Sequence, residues 1–268
     1  MMNIFKYEFK TYRKSILVWS LSIAAILFVM MALYPTFAKD AEFMEQMLEN
    51  YPEEMLKAFG MNGNLPLSSI LGFLAFLFAF IQLCLAIQAA NYGFSILSVE
   101  EREFTADYLI SKPVSRIQIL NAKFGAAFLA LIITDVFLAM STFGAIELYR
   151  DGAMYEAKNI IVLLSSVVFF QLFFLSVGMA ISVLTKKIRN VLTFALGISF
   201  GTYILNAVGA IIGGNTLKYL SPFAHFESGY ILEFSKYDMK MAMISIVLTI
   251  ISLVITYILY PRRDIQSL

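Results

Sequence analysis

Ile160 to Leu184 reads IIVLLSSVVFFQLFFLSVGMAISVL, a stretch without one charged residue. As a helix rising about 1.5 Å per residue, it is long enough to cross the roughly 30 Å hydrocarbon core of a bilayer. On either side lie five more long apolar runs: Ser15 to Phe37, Leu67 to Leu97, Phe124 to Leu148, Val191 to Ile212 and Ala242 to Tyr260. Six spans are predicted, and with them an all-α polytopic membrane protein. The longest connections, Ala38 to Pro66 and Gly213 to Met241, are too short for a soluble catalytic domain, since chains below about 40 residues rarely fold unaided. Residues 1–268 therefore read as one transmembrane domain. A soluble enzyme, a secreted disulfide scaffold and a β-barrel are excluded.

Composition agrees. The 268 residues are 60% hydrophobic, with Lys+Arg 20 against Asp+Glu 19, so no basic excess argues for nucleic acid. Cys84 is the only cysteine, which leaves no disulfide framework or thiolate metal cluster. The first apolar run is too long for a removable signal and reads as a retained span.

An even number of spans puts both termini on one side. The segments on that side carry 13 of the 20 basic residues, among them Lys6, Lys10, Arg13, Lys14, Lys186, Lys187, Arg189, Arg262 and Arg263 beside span ends. Basic residues retained inside set topology, so both termini are expected to be cytoplasmic. The opposite segments hold 11 acids, six of them in the first loop, which reads as a solvated acidic helix pair.

Local patterns add detail. Phe5, Phe9, Tyr12 and Ile16 recur at helical spacing beside Lys6, Lys10 and Arg13, which suits a helix in the inner interface. The second run exceeds the membrane thickness and should tilt or project inward. It leads into Glu100-Glu101-Arg102-Glu103-Phe104-Thr105-Ala106-Asp107-Tyr108-Leu109, a charged stretch whose Phe104 and Tyr108 share one face of a short amphipathic helix. Pro113 then breaks the helix, and Ser115 with Gln118 forms a capping box that starts the next. Segment 98–118 is thus expected to be helix, break, helix. Beyond the fifth run, Gly213-Gly214 ends the span and Ser221-Pro222 starts a short half-inserted helix, tolerated only where protein or water surrounds it.

Gly197, Gly201, Gly209 and Gly213 repeat on one face of the fifth run. Such a face lets a second helix approach closely, either in the same chain or across a subunit interface. Gln88 and Asn91, with Cys84 and Ser95, form a polar strip about 60° wide on the second helix, a translocation path or interhelical glue. Asp135 is the one charge near the middle of a span. It is either functional or bonded to a hydroxyl on a facing helix. His225 is the only histidine and reads as a satisfied interfacial residue rather than a metal ligand or catalytic base. With so few buried charges, ion-coupled secondary transport is disfavoured.

No G-x-x-x-x-G-K-[ST] loop occurs, so any ATP-driven work needs a partner. The stretch Glu100-Glu101-Arg102-Glu103 through Thr105, Tyr108 and Leu109 to Ser111-Lys112-Pro113-Val114-Ser115-Arg116 resembles the permease subunit of type 2 ABC exporters. Leu220-Ser221-Pro222-Phe223 with Phe226 is a second point of likeness. The family commonly has glycine before the threonine, where this chain has Phe104. The resemblance implies an inner amphipathic helix, six spans, a coupling helix between spans two and three, and re-entrant helices between spans five and six. It also implies a second permease copy or paralogue, and a separate ABC ATP-binding subunit that holds ATP and Mg.

On that footing Glu100, Glu101, Arg102, Glu103 and Asp107 are expected to make polar docking contacts, with Phe104 and Tyr108 filling a groove on the ATPase. Thr105, Pro113, Ser115 and Arg116 complete the segment. Three functions stay open: an exporter, an integral membrane enzyme lacking any visible nucleophile cluster, and a scaffold or sensor worked by an ABC ATPase. The resemblance and the aromatic-rich spans favour export of an amphipathic peptide or hydrophobic drug across a bacterial plasma membrane. Lipid, polysaccharide or ion is the alternative cargo.

Overall fold

The computed structural model describes residues 2–52, 56, 61, 65–103, 114–185, 188–212 and 215–262. Those residues form helices and no strand: α1 (Met2–Met31), α2 (Tyr34–Lys39), α3 (Ala41–Glu49), α4 (Ile70–Glu103), α5 (Arg116–Tyr149), α6 (Ala157–Leu184), α7 (Val191–Ile212), α8 (Asn215–Lys218), α9 (Pro222–His225), α10 (Ser228–Phe234) and α11 (Met239–Leu259). A 3-10 turn, Tyr260–Arg262, follows. Six segments are long and apolar enough to cross a membrane: Met2–Lys39, Ile70–Ser98, Arg116–Tyr149, Ala157–Leu184, Val191–Ile212 and Met239–Arg262.

The amphipathic stretch around Phe5 to Ile16 is continuous with the first span, as one 30-residue helix. No glycine or proline interrupts it, and Tyr12 is anchored on the Tyr92 ring 4.5 Å away. The charged residues Glu100 to Glu103 likewise continue α4 as its last turn rather than opening a separate helix.

Helices α4 and α6 form the centre of the bundle. Helix α4 packs along α6 and α7, α6 also along α11, and α1 lies against α5. The centre is tight because two glycines meet there. A Cβ on Gly93 would fall 2.3 Å from the Leu175 carbonyl oxygen, and one on Gly178 would fall 3.0 Å from that of Ala90. In a bilayer, where the hydrophobic effect does not drive helices together, such backbone approach is a main source of cohesion.

Between α7 and α11 the chain turns back into the bundle. Phe223 on α9 packs on Phe170 and Phe174 of α6 and on Tyr203 of α7, with ring centroids 5.1, 5.9 and 5.4 Å apart. These partners lie midway along their helices, so α9 reaches about halfway along the spans. Its polar backbone cannot rely on water there. Gln82 on α4 donates to the Phe226 carbonyl at 2.8 Å, and Asn159 on α6 to the Leu232 carbonyl at 2.8 Å. Ser221 and Ser228 donate in turn to the carbonyls of Thr202 and Ala75 at 2.8 and 2.9 Å. The expected half-inserted helix is therefore two short helices, α9 and α10, stitched to three spans.

Candidate functional site

The expected coupling segment lies between the C-terminal end of α4 and the N-terminal end of α5. Ser115 caps α5 as predicted: its Oγ accepts from the Gln118 N–H, and its own N–H donates to Gln118 Oε1, both at 3.2 Å. Arg116 donates to the Pro261 carbonyl at 3.4 Å, which ties the start of α5 to the 3-10 turn after α11. Phe104, Thr105, Asp107, Tyr108 and Pro113 lie outside the described residues. So do the side chains of Glu100, Glu101, Arg102 and Glu103, whose backbone is the last turn of α4.

Beside this segment lies a residue that sequence reasoning missed. Lys123 is 1% exposed. Its Nζ donates to the Ile96 carbonyl of α4 at 3.0 Å and pairs with Glu8 Oε1 of α1 at 3.4 Å. A lysine buried this fully must be paired, because leaving its charge without partners would cost several kcal/mol, on the order of the desolvation penalty. One side chain thereby fastens α1, α4 and α5 together at the end where the coupling segment emerges. The available signal was its place: a lone lysine immediately before the apolar run that opens at Phe124.

Deeper in the membrane a polar chain runs across the bundle. Gln88 donates to Thr134 Oγ1 at 3.0 Å and to the Tyr92 hydroxyl at 3.3 Å, and Tyr92 donates to Ser15 at 2.9 Å. These bonds link α4 to α5 and α1. Asn91 is half-buried one turn on, and its side chain makes no hydrogen bond among the described residues. Asp135, next to Thr134, faces α6 rather than Gln88. With the Gln171 amide turned to donate, its nitrogen lies 3.1 and 3.2 Å from the two Asp135 carboxylate oxygens. Gln88 belongs to an α1–α4–α5 network and Asp135 to an α5–α6 pair.

The glycine face of α7 behaves differently from the α4–α6 seam. A Cβ on Gly197 or Gly201 would meet nothing within 4 Å, whereas one on Gly209 would touch Leu217 at 3.1 Å. Gly213 lies outside the described residues. His225 is buried, with Nε2 donating to the Tyr219 carbonyl at 3.2 Å and Nδ1 accepting from Ser245 Oγ at 2.7 Å.

Among curated proteins no relative matches this sequence. A family model described as ABC-2 family transporter protein matches residues 2–265, nearly the whole chain. An all-helical bundle with six helices long and apolar enough to cross a membrane accords with that match. The chain belongs to the ABC-2 family transporter proteins and is a permease subunit of an ABC transporter, a membrane component that works with an ATP-binding subunit.

Proposed function

We propose that this permease exports an amphipathic peptide or hydrophobic drug, using ATP and Mg bound by a separate cassette subunit that grips segment 98–118 from the cytoplasm. Both termini are then cytoplasmic, in a bacterial plasma membrane, and α9 and α10 face outward. The observation that carries the reading is the continuity of α4. One unbroken helix of 34 residues joins the coupling segment at Glu103 to Gln82, whose side chain holds the Phe226 carbonyl of the re-entrant pair. That separation is about 30 Å at ~1.5 Å per residue.

A rigid-body displacement of the inner end of α4 is therefore passed to the re-entrant element without a flexible joint. Lys123 makes the inner ends of α1 and α5 follow the same motion. Glu100, Glu101, Arg102, Glu103 and Asp107 supply polar contacts to the cassette, and Phe104 and Tyr108 supply the apolar ones. Gln88 and Asp135 bond between helices in separate networks, and half-buried Asn91 is left as the polar group for the translocated molecule. The open Gly197 and Gly201 face receives a second permease copy or paralogue.

Glu101→Lys with Glu103→Lys tests the docking assignment. The pair is expected to release the cassette during purification while the membrane part remains folded. Retained co-purification with full ATPase coupling overturns it. ATPase of the assembled complex is expected to rise with amphipathic peptide. Stimulation by a lipid or an ion alone overturns the substrate assignment.

A further inference from the structure

The side of the bundle opposite the termini holds a cavity of about 390 Å³ that the transport reading does not use. It lies where α9 wedges between α7 and α11, and six polar residues from these helices and their neighbours line it. These are Asn206 of α7, Lys218 of α8, His225 of α9, Glu227 before α10, Tyr230 of α10 and Asp238 at the start of α11. Its volume lies within the range of small-ligand sites, about 300–1,000 Å³. His225 forms a fixed wall, because both ring nitrogens are engaged.

Three of the other groups have no partner among the described residues: the Asn206 amide, the Lys218 ammonium and the Tyr230 hydroxyl. All three can donate to an anion. Asp238 uses Oδ1 to accept the N–H groups of Lys240 and Met241 at 3.0 and 3.3 Å, which leaves Oδ2 as an acceptor. A simple anion in this cavity would meet the Asp238 and Glu227 carboxylates, and a simple cation would meet Lys218. A ligand carrying both charges satisfies both sets.

We propose that this cavity binds the headgroup of an aminophospholipid, with its phosphate on Lys218, Asn206 and Tyr230 and its primary ammonium on Asp238. A primary ammonium has three N–H donors for carboxylate acceptors; a quaternary choline has none. The bilayer is the source because the spans flanking the cavity turn exposed apolar side chains outward. Ile211 and Ile212 do so on α7, as do Met239 and Met243 on α11, where acyl chains can lie while the headgroup enters. The site serves a resident lipid and is independent of the exported molecule.

Native mass spectrometry of the full chain, titrated with equal amounts of phosphatidylethanolamine, phosphatidylcholine and phosphatidylglycerol, tests this. The expected result is at least a fivefold excess of retained phosphatidylethanolamine. That excess should fall at least fivefold in Lys218→Gln and in Asp238→Asn, the latter keeping the helix cap. Tyr230→Phe gives a smaller loss and serves as the independent variant if either of the first two fails to fold. Equal retention of the three lipids, or variants that retain phosphatidylethanolamine as wild type does, overturns the proposal. So does displacement of a thermal-stability gain from lipid to soluble glycerophosphoethanolamine or dialanine alone. Those outcomes assign the cavity to a free headgroup or to a peptide end.

Discussion

The α4–α6 seam and the outward face of α7 are both built from glycines on long apolar helices, yet they do opposite things. At the seam, Gly93 and Gly178 bring two backbones together so closely that one added methyl on Gly93 meets the Leu175 carbonyl at 2.3 Å. On α7, Gly197 and Gly201 meet nothing, although they carry the better-known G-x-x-x-G spacing. The spacing marks a face that permits close approach. Whether the approach occurs within the chain depends on what else holds the helices, and α4 and α6 are further bound through α10, which packs on both.

This contrast can be broken in graded steps. The largest effect is expected at the seam. Gly93→Val must push backbone against backbone, and overpacking of that kind costs about 1–3 kcal/mol or more. A sharp fall in the yield of folded protein or in its unfolding midpoint in detergent is the expected readout. Wild-type stability for this variant would remove the seam from the account.

Next comes the fastening at Lys123. Lys123→Met leaves Glu8 without its partner and the Ile96 carbonyl without its extra donor. Glu8 retains some solvent access, at 16% exposure, so the loss should lie near the lower part of the ~3–5 kcal/mol typical of broken buried pairs. Glu8→Gln combined with Lys123→Met should recover part of that loss in a double-mutant cycle. Strict additivity of the two changes would show that the pair does not couple.

Smaller again is the α5 cap. Ser115→Ala removes the Oγ acceptor of the capping box, for about 1 kcal/mol. It should also loosen the register of the coupling segment, read as weaker cassette retention at unchanged span content by circular dichroism. The smallest effect on chain stability is expected on α7, where Gly201→Ala gains helix propensity and touches nothing. Its consequence should appear instead in the dimer fraction measured by cross-linking. A stability loss comparable to that of Gly93→Val would mean that the two faces do not differ.

The sequence carried the span pattern, the cap at Ser115 and the turn back into the membrane at Ser221-Pro222 openly, because each rests on local residue chemistry. It did not carry the partners. Gln82 and Gln171 look like stray polar residues in apolar runs, and Asn159 like a loop residue beside one, until the fold puts a carbonyl or a carboxylate opposite each. Lys123 reads as a loop cation until α1 and α4 close over it. Gln88, Asn91 and Asp135 could be grouped by depth, but assigning them to separate networks required knowing which helices face one another. The continuity of α1 and of α4 was hidden for a related reason: amphipathic and charged composition suggests a separate element, while a chain without breakers simply propagates its helix.

The central claim is that this bundle is moved by a separate ATPase acting through α4. Proteoliposomes containing the permease with its cassette subunit, loaded with a fluorescent amphipathic peptide, test it most directly. The account predicts ATP-dependent movement of peptide by the pair and none by either component alone. Equal transport by the permease without any ATPase would contradict it.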